Sequence, residues 1–172
     1  MKKSILLIGF LALSFFSFGQ KFAYIDSEYI LSKIPEYQEA KKQLDALSDQ
    51  WQKEIERKYE DIEKMEKNYQ AEEILLTDKM KNKRREEILE KIEDAKQFKK
   101  EKFGIEGKLF KKRKELVKPI QEKIYKAVQE TANVGRYAFI FDKAGEATMV
   151  YSNPKYDKSD DILRRMGYRP GE

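Results

Sequence analysis

The ionisable side chains of this chain that could do chemistry are nearly all carboxylates, lysines and arginines. Its 172 residues include no histidine and no cysteine, which removes the commonest general base, the commonest metal ligand and every thiol nucleophile. Neighbouring carboxylates such as Glu72, Glu73 and Asp78 have the ligand type for a cation. Such proximity is expected by composition in a chain with 31 acidic residues, so we assign no metal, no cofactor and no enzymatic activity.

Two glycine patterns bear on nucleotide and nucleic-acid binding. The chain has no glycine-rich loop followed by Lys-Ser or Lys-Thr, so we expect no ATP site. Gly104-Ile-Glu-Gly107 has the spacing of a nucleic-acid-binding GXXG loop, but it lies inside a helical pattern with no predicted strand beside it. We therefore expect no specific nucleic acid among the partners.

A basic cluster lies directly after an apolar segment in the middle of the chain. Basic side chains beside apolar ones are typical of surfaces that contact an anionic membrane. The alternative is a solvated helix start whose apolar residues close on themselves. The candidate contact residues are Ile74, Leu75, Leu76, Lys79, Lys81, Lys83, Arg84 and Arg85.

The first 19 residues have the composition of a signal peptide. Lys2 and Lys3 precede an uncharged apolar run from Ile5 to Phe16, which is too short to span a bilayer comfortably. Ser17 and Gly19 put small residues at positions minus three and minus one of a cut before residue 20. The sequence therefore predicts a mature chain that begins near Gln20 and leaves the cytoplasm, with a retained membrane anchor as the alternative.

Apolar residues recur at helical spacing between Tyr37 and Tyr69, with steps of three or four that average about 3.6 residues. Pro35 favours a helix start, and Thr77 is a predicted N-cap for a second helix that begins at Asp78. We expect Pro119 to end this second arm with a kink, because proline supplies no amide hydrogen to a helix. The spacing thus predicts a long antiparallel helical hairpin with its tip near residues 74–78.

The two predicted arms carry opposite charge. Glu36–Glu73 has seven basic and twelve acidic residues, a net of −5, whereas Asp78–Lys118 has sixteen and nine, a net of +7. Such charges favour antiparallel pairing, although the basic arm is also suited to acidic partners or lipid head groups. Three arm aromatics, Trp51, Tyr59 and Tyr69, either pack between the helices or face a bound partner.

Gly104 and Gly107 fall in the second arm, opposite residues 44–47 of the first. Helical glycine costs about 1 kcal/mol relative to alanine, so these two positions call for an explanation. They either make room for facing side chains or form an arm hinge.

The pattern changes from helical to alternating beyond Gly135. Arg136–Phe141 and Ala147–Tyr151 predict a β-hairpin, which with Phe22–Ile25 supplies three strands. Ser159 is the expected cap of a last helix from 160 to 166 that Gly167 ends. The predicted organisation is therefore a first strand and short helix in 20–35, a helical-hairpin arm in 36–118, and a helix, β-hairpin and C-terminal helix in 119–172.

This layout resembles the Skp, or OmpH-like, family of periplasmic chaperones for outer-membrane proteins. The resemblance covers essentially the whole mature chain, and no single motif in it is catalytic. The segments that carry it are Lys21-Phe-Ala-Tyr-Ile-Asp26, Tyr29-Ile-Leu-Ser-Lys-Ile-Pro-Glu-Tyr37, Val117-Lys-Pro-Ile-Gln-Glu-Lys-Ile-Tyr-Lys-Ala-Val128 and Tyr137-Ala-Phe-Ile-Phe-Asp142.

The resemblance implies a mostly helical α+β fold, in which coiled-coil-like arms project from a small β-body and the body forms a homotrimer. Unfolded outer-membrane proteins would enter a cavity between the arms and be held there without ATP. The alternatives are a periplasmic coiled-coil spacer or scaffold, and an envelope protein that binds lipid or other polyanions. The candidate residues of the trimer body are Phe22, Tyr24, Tyr137, Phe139, Phe141 and Val150.

Overall fold

The computed structural model describes residues 20–145 and 149–170. The predicted signal peptide, residues 1–19, lies outside the described residues. The described chain forms two compact units, one made of residues up to Lys33 and from Ile124 onward, the other of Ile34–Lys123. No helix among the described residues is both long enough and apolar enough to cross a membrane.

Two long helices and the start of a third make up the second unit. The first helix has proline at its first position, as predicted, and the next begins after Thr77, whose Oγ1 accepts a hydrogen bond from the amide of Met80. A short 3-10 helix at Glu73–Leu75 joins the two. The helices are α2 (Pro35–Glu72), α3 (Asp78–Phe103) and α4 (Lys108–Gly135).

The hairpin of α2 and α3 has a narrow apolar seam. Ile62, Ile88 and Ala95 are buried in it, with Met65, Tyr69 and Ile92 half-buried against them. The expected stripe of α2 is confirmed by the burial of Ala40, Leu44, Ile55 and Ile62. Antiparallel pairing is confirmed by two side-chain contacts at well-separated levels, Trp51 with Phe103 and Tyr69 with Arg85.

The second arm was expected to run unbroken to residue 118, and this expectation is wrong. α3 ends at Phe103 and α4 begins at Lys108, whereas the chain passes through Pro119 without leaving the helix. Two glycines within four residues weaken the helix at the break. Pro119 removes only one backbone hydrogen bond from the helix. The neighbouring Ile120 is buried, so packing stabilises the helix at this point.

A two-stranded parallel sheet lies in the first unit, not the three strands that alternation predicted. β1 (Lys21–Ile25) pairs with β2 (Tyr137–Asp142), with a bulge between Lys21 and Phe22. Residues 146–148 of the predicted third strand lie outside the described residues, and residues 149–151 are not in a strand. β1 is instead bordered on its other side by a single bridge from Tyr24 to Asp157, where the amide of Lys158 donates to the Tyr24 carbonyl at 2.9 Å.

This unit also contains two short α-helices, α1 (Ser27–Ser32) and α5 (Ser159–Arg165), and a 3-10 helix at Pro154–Tyr156. The two α-helices pack together through Ile30, Ile162 and Leu163, which are fully buried. Gly167, with φ of +90°, ends α5 as predicted, and the amide of Tyr168 donates to the carbonyl of Leu163.

The N-cap prediction for Ser159 is wrong by one residue. Lys158 holds that position, and Ser159 is the first residue of α5. Its buried Oγ accepts a hydrogen bond from the amide of Asp26 at 2.8 Å instead. The hydroxyl therefore ties α5 to the end of β1, 133 residues away in sequence.

Candidate interaction surfaces

The tip of the hairpin exposes apolar side chains. Ile74 is 94% exposed and Leu75 84%, while Leu76 is half-buried. The short 3-10 turn leaves Ile74 and Leu75 outside the seam between α2 and α3. The exposure of Ile74 and Leu75 contradicts the alternative in which the apolar residues of the tip pack against one another.

The basic residues next to the tip differ in their partners. Arg84 pairs with Glu72 at 3.6 Å, and Arg85 pairs with Glu73 at 3.2 Å. Lys83 pairs with Glu87 along α3 at 3.9 Å. These three cations are therefore partly neutralised.

Lys79 and Lys81 form no ion pair within the part of the chain that the structure describes. They lie in the first turn of α3, where a positive charge opposes the helix dipole. An anion bound near this turn would relieve that opposition. Of the five predicted tip cations, these two have the charge most available to a ligand.

Gly104 and Gly107 lie at the break between α3 and α4. The amide of Gly104 ends α3 by donating to Lys100, and the amide of Gly107 donates to the Gly104 carbonyl at 2.8 Å. Between them Glu106 has a left-handed backbone, with φ of 62°. The glycines thus mark a real discontinuity, and an arm hinge at this place stays a prediction.

The strand aromatics predicted for a trimer body separate into two groups. Phe22 stacks on Phe139 with ring centroids 6.0 Å apart, and Phe139 stacks on Phe141 at 6.2 Å. These three rings form an exposed row, which we call the aromatic row, whereas Tyr24 is buried and Tyr137 half-buried. Val150 is 94% exposed and belongs to no strand.

The aromatic row borders a groove of about 660 Å³ in the first unit. Phe22 and Phe141 line one part of it, and Tyr151 and Tyr156 line another. Both tyrosines are themselves largely exposed. Among residues 20–145 and 149–170, β1 is the only strand that pairs with β2, and the exposed feature of this face is its row of apolar rings.

Comparison with known protein families gives one match that includes residues of both units. The model of the family described as outer membrane protein (OmpH-like) matches residues 21–166. The chain belongs to the OmpH-like family. It is a chaperone family rather than a family of enzymes.

A solved structure agrees with this fold. It is the crystal structure of a candidate outer membrane chaperone (OmpH-like) from Caulobacter crescentus CB15, which aligns over 86% of this chain and 84% of that chain with a TM-score of 0.66. The two sequences are 11% identical, so the likeness concerns the fold. None of the curated proteins compared with the chain matches it.

Of the three aromatics singled out on the first arm of this OmpH-like chain, two pack between helices. Trp51 meets Phe103 edge to face at 6.2 Å, and Tyr69 packs against the seam, with the guanidinium of Arg85 from α3 lying 5.6 Å from its ring. Tyr59 is 41% exposed. The packing interpretation is therefore confirmed for Trp51 and Tyr69 and leaves Tyr59 available to a client.

Two of the three carboxylates considered for cation binding, Glu72 and Glu73, have other partners. Glu72 and Glu73 are engaged by arginines of α3, and Asp78 lies in the first turn of that helix. No group of ligating side chains suited to a metal ion exists among the described residues.

The sequence analysis did not predict a cluster of polar and aromatic side chains around Lys102. Lys102 has a side chain only 11% exposed and lies over the ring of Phe98 at 4.6 Å and over Trp51 at 5.4 Å. Its neighbour Glu101 accepts hydrogen bonds from Lys108, which hold the pKa of that carboxyl below its ordinary value, with further help from Lys102. The i, i+4 spacing of Phe98 and Lys102 was the signal available in the sequence.

Proposed function

We propose that this OmpH-like chain is an ATP-independent holding chaperone of the periplasm that binds unfolded outer-membrane proteins between the helical arms of a homotrimer and keeps them from aggregating. Support comes from the family, from the predicted signal peptide and from the surface of the hairpin. A holding chaperone needs many weak contacts that do not impose one conformation on its client.

The main observation in support of the proposal is that single apolar side chains are exposed on a highly charged unit that contains the hairpin. Leu89 is 65% exposed, Phe110 is 53% exposed and Ile105 is fully exposed. Lysines and glutamates separate them along the sequence. Such a surface offers contacts to any apolar segment of an unfolded chain, while its charges keep the complex soluble.

Holding activity is tested by diluting an unfolded outer-membrane β-barrel protein into buffer with and without the purified mature chain, in the absence of ATP. Light scattering should fall as the chaperone is added, with saturation near one client per trimer. Unchanged scattering at a several-fold excess would favour the spacer or scaffold alternative.

A triple variant, Leu89→Ser with Ile105→Ser and Phe110→Ser, tests the surface. The three side chains contribute little to the folded core, so the variant should fold normally and yet need several-fold more protein for the same protection. The matched control is Val134→Ser, which removes a 72% exposed side chain from the first unit. Equal protection by the triple variant and the control would contradict the role given to the hairpin.

The homotrimer is proposed to form through the aromatic row. Three exposed stacked rings form an apolar surface that a second copy of the chain can cover and bury. Phe139→Lys should weaken the assembly in sedimentation equilibrium, whereas Tyr125→Lys, at a 64% exposed helical position, should not. A folded monomer of the unaltered chain at micromolar concentration would rule the trimer out.

A second candidate activity is contact of the hairpin tip with an anionic membrane or lipopolysaccharide. It is favoured by Ile74 and Leu75, whose exposed apolar side chains lie beside the unpaired cations Lys79 and Lys81. Vesicles containing anionic lipid should bind the chain more strongly than neutral vesicles, and salt should weaken the difference.

The variant Lys79→Ser with Lys81→Ser should lose this preference for anionic vesicles. Its control, Lys41→Ser with Lys42→Ser, removes two exposed lysines from α2 and should retain it. Equal loss in both variants would indicate a bulk charge effect rather than binding at the tip. Strong polyanion binding without any protection of clients would favour the lipid- or polyanion-binding alternative.

A further inference from the structure

The break between α3 and α4 is surrounded by a connected set of side chains from three helices. Lys102 in the last turn of α3 lies between Phe98, on the same helix, and Trp51 of α2. Trp51 also meets Phe103, the last residue of α3, edge to face. The Lys102 side chain is therefore largely shielded from water, and its ammonium group contacts two aromatic rings instead.

An ion pair spans the break itself. The Glu101 carboxylate of α3 accepts from the ammonium of Lys108, the first residue of α4, with a Glu101 Oε1 to Lys108 Nζ distance of 2.6 Å. The same oxygen lies 3.5 Å from the Nζ of Lys102. One carboxylate therefore links the aromatic-bound lysine to the start of the next helix.

The start of α4 needs such an anion. Its first turn contains no acidic residue and begins with a lysine, whose positive charge opposes the helix dipole. Glu101 reaches across from α3 and supplies the missing negative charge. The backbone of the break is itself unfavourable, because Glu106 is a non-glycine residue with φ of 62°.

We propose that Lys102 and Glu101 form a clasp that fixes the break between α3 and α4, and that releasing the clasp frees the break without unfolding the hairpin. Trp51, Phe98 and Lys102 fasten the break to α2, while Glu101 and Lys108 fasten its two sides together. The clasp concerns the mechanics of the free chain and holds whether or not the protein binds unfolded clients.

Hydrogen exchange of the mature chain tests the clasp. Three amides report on the break, those of Gly104, Gly107 and Lys111, because each donates to a carbonyl at or next to it. Lys102→Met keeps the length of the side chain and removes the charge that the rings attract. Exchange at these amides should become about tenfold faster, the effect of losing a partly desolvated cation–π contact. Amides in the seam around Ile62 and Ile88 should keep their rates.

Glu101→Gln gives a second, independent variant, since its side chain is 46% exposed and its replacement leaves no cavity. It should accelerate exchange at the same three amides. Salt should also accelerate their exchange in the parent chain, because it screens the Glu101–Lys108 ion pair, and Glu101→Gln should remove this effect of salt. The matched control Lys83→Met breaks an exposed ion pair elsewhere on α3 and should leave the break unchanged. Trp51 is the only tryptophan in the chain, so its fluorescence should also respond to Lys102→Met and not to Lys83→Met.

Two results would overturn the clasp. One is exchange at the parent rate at all three amides in both variants, which would mean that the contacts do not hold the break. The other is equal acceleration along the whole hairpin, which would mean that Lys102 and Glu101 stabilise the unit in general. Neither measurement requires a client, so neither result bears on the holding activity.

Discussion

Alanine at Gly104 or at Gly107 acts directly on the backbone that separates α3 from α4. A Cβ atom at Gly104 would overlap the carbonyl oxygen of Lys100. At Gly107 it would lie 2.8 Å from the Gly104 oxygen and 2.9 Å from the Lys102 oxygen. All of these are backbone atoms, which cannot rotate away as the end of a side chain can. The backbone must move to accept either methyl group.

The sign of the effect depends on whether this backbone is helical. In a helix, each substitution would stabilise the chain by about 1 kcal/mol. Here ψ of Gly104 is 170°, so the helical gain is not available, and crowding typically costs about 1–3 kcal/mol. We expect each variant to be destabilised by about 2 kcal/mol, which lowers the melting temperature of a chain of this size by about 4–8 °C.

Thermal melts followed by far-ultraviolet circular dichroism measure the effect. Gly145→Ala is the matched control, because a Cβ atom there would meet the Asp142 oxygen at an ordinary distance of 3.4 Å. It should melt close to the parent. A Gly104→Ala variant that melts above the parent with increased helix content would refute the reasoning, because it would mean that residues 104–107 readily become helical.

Three further outcomes are expected. Ala95→Leu should lower stability by about 1–3 kcal/mol in denaturant titrations, because Ala95 is completely buried between the hairpin helices. Ser159→Ala should cost about 1–2 kcal/mol by the same assay, since the part-buried amide of Asp26 loses its acceptor. The pKa of Glu101 is lowered by hydrogen bonds from Lys108 and by the charge of Lys102. The contribution of Glu101 to the stability of the break is therefore fully present above the ordinary glutamate pKa of about 4.3. It is lost as the pH falls through the lowered pKa. Exchange at the break measured against pH checks this, and Glu101→Gln should show no such acid dependence.

The helical part of the fold was largely predictable because its signals are local. The stripe from Ala40 to Ile62, proline at the start of α2 and Thr77 before α3 each act within a few residues. The cap of α5 was misassigned for the opposite reason. Ser159 has the right residue type for a cap, but its hydroxyl is used by Asp26, which is distant in sequence.

The sheet was also hard to predict, because its pairing joins residues that are distant in sequence. Alternation in 137–141 correctly indicated a strand but contained no information about its partner. Consecutive strands usually pair as hairpins, so residues 147–151 seemed the natural neighbour. The structure pairs β2 with β1 in parallel. This pairing depends on the whole intervening chain bringing Ala23 and Ile140 together, which no local pattern encodes.

The residue types of the candidate surfaces were predictable from the sequence, but the exposure and pairing of those residues were not. The basic cluster of the tip was visible in the sequence, yet only the structure separates the paired Arg84 and Arg85 from Lys79 and Lys81. Likewise the strand aromatics formed one set by alternation, whereas Tyr24 is buried and Phe139 exposed. Burial and pairing depend on neighbours from other elements, so they follow from the fold.

Opposite net charge on the two arms suggested that ion pairs align the hairpin, but the contacts assign part of that role to aromatic rings. Among the described residues, two ion pairs join the arms, both at the tip and both exposed. Three cations lie over rings of the opposite arm, namely Lys58 over Phe98, Lys102 over Trp51 and Arg85 over Tyr69. Exposed ion pairs contribute about 0–1 kcal/mol each and weaken in salt, whereas a cation enclosed by rings contributes up to about 2 kcal/mol. Pairing of the arms should therefore persist at salt concentrations that remove the attraction between their net charges.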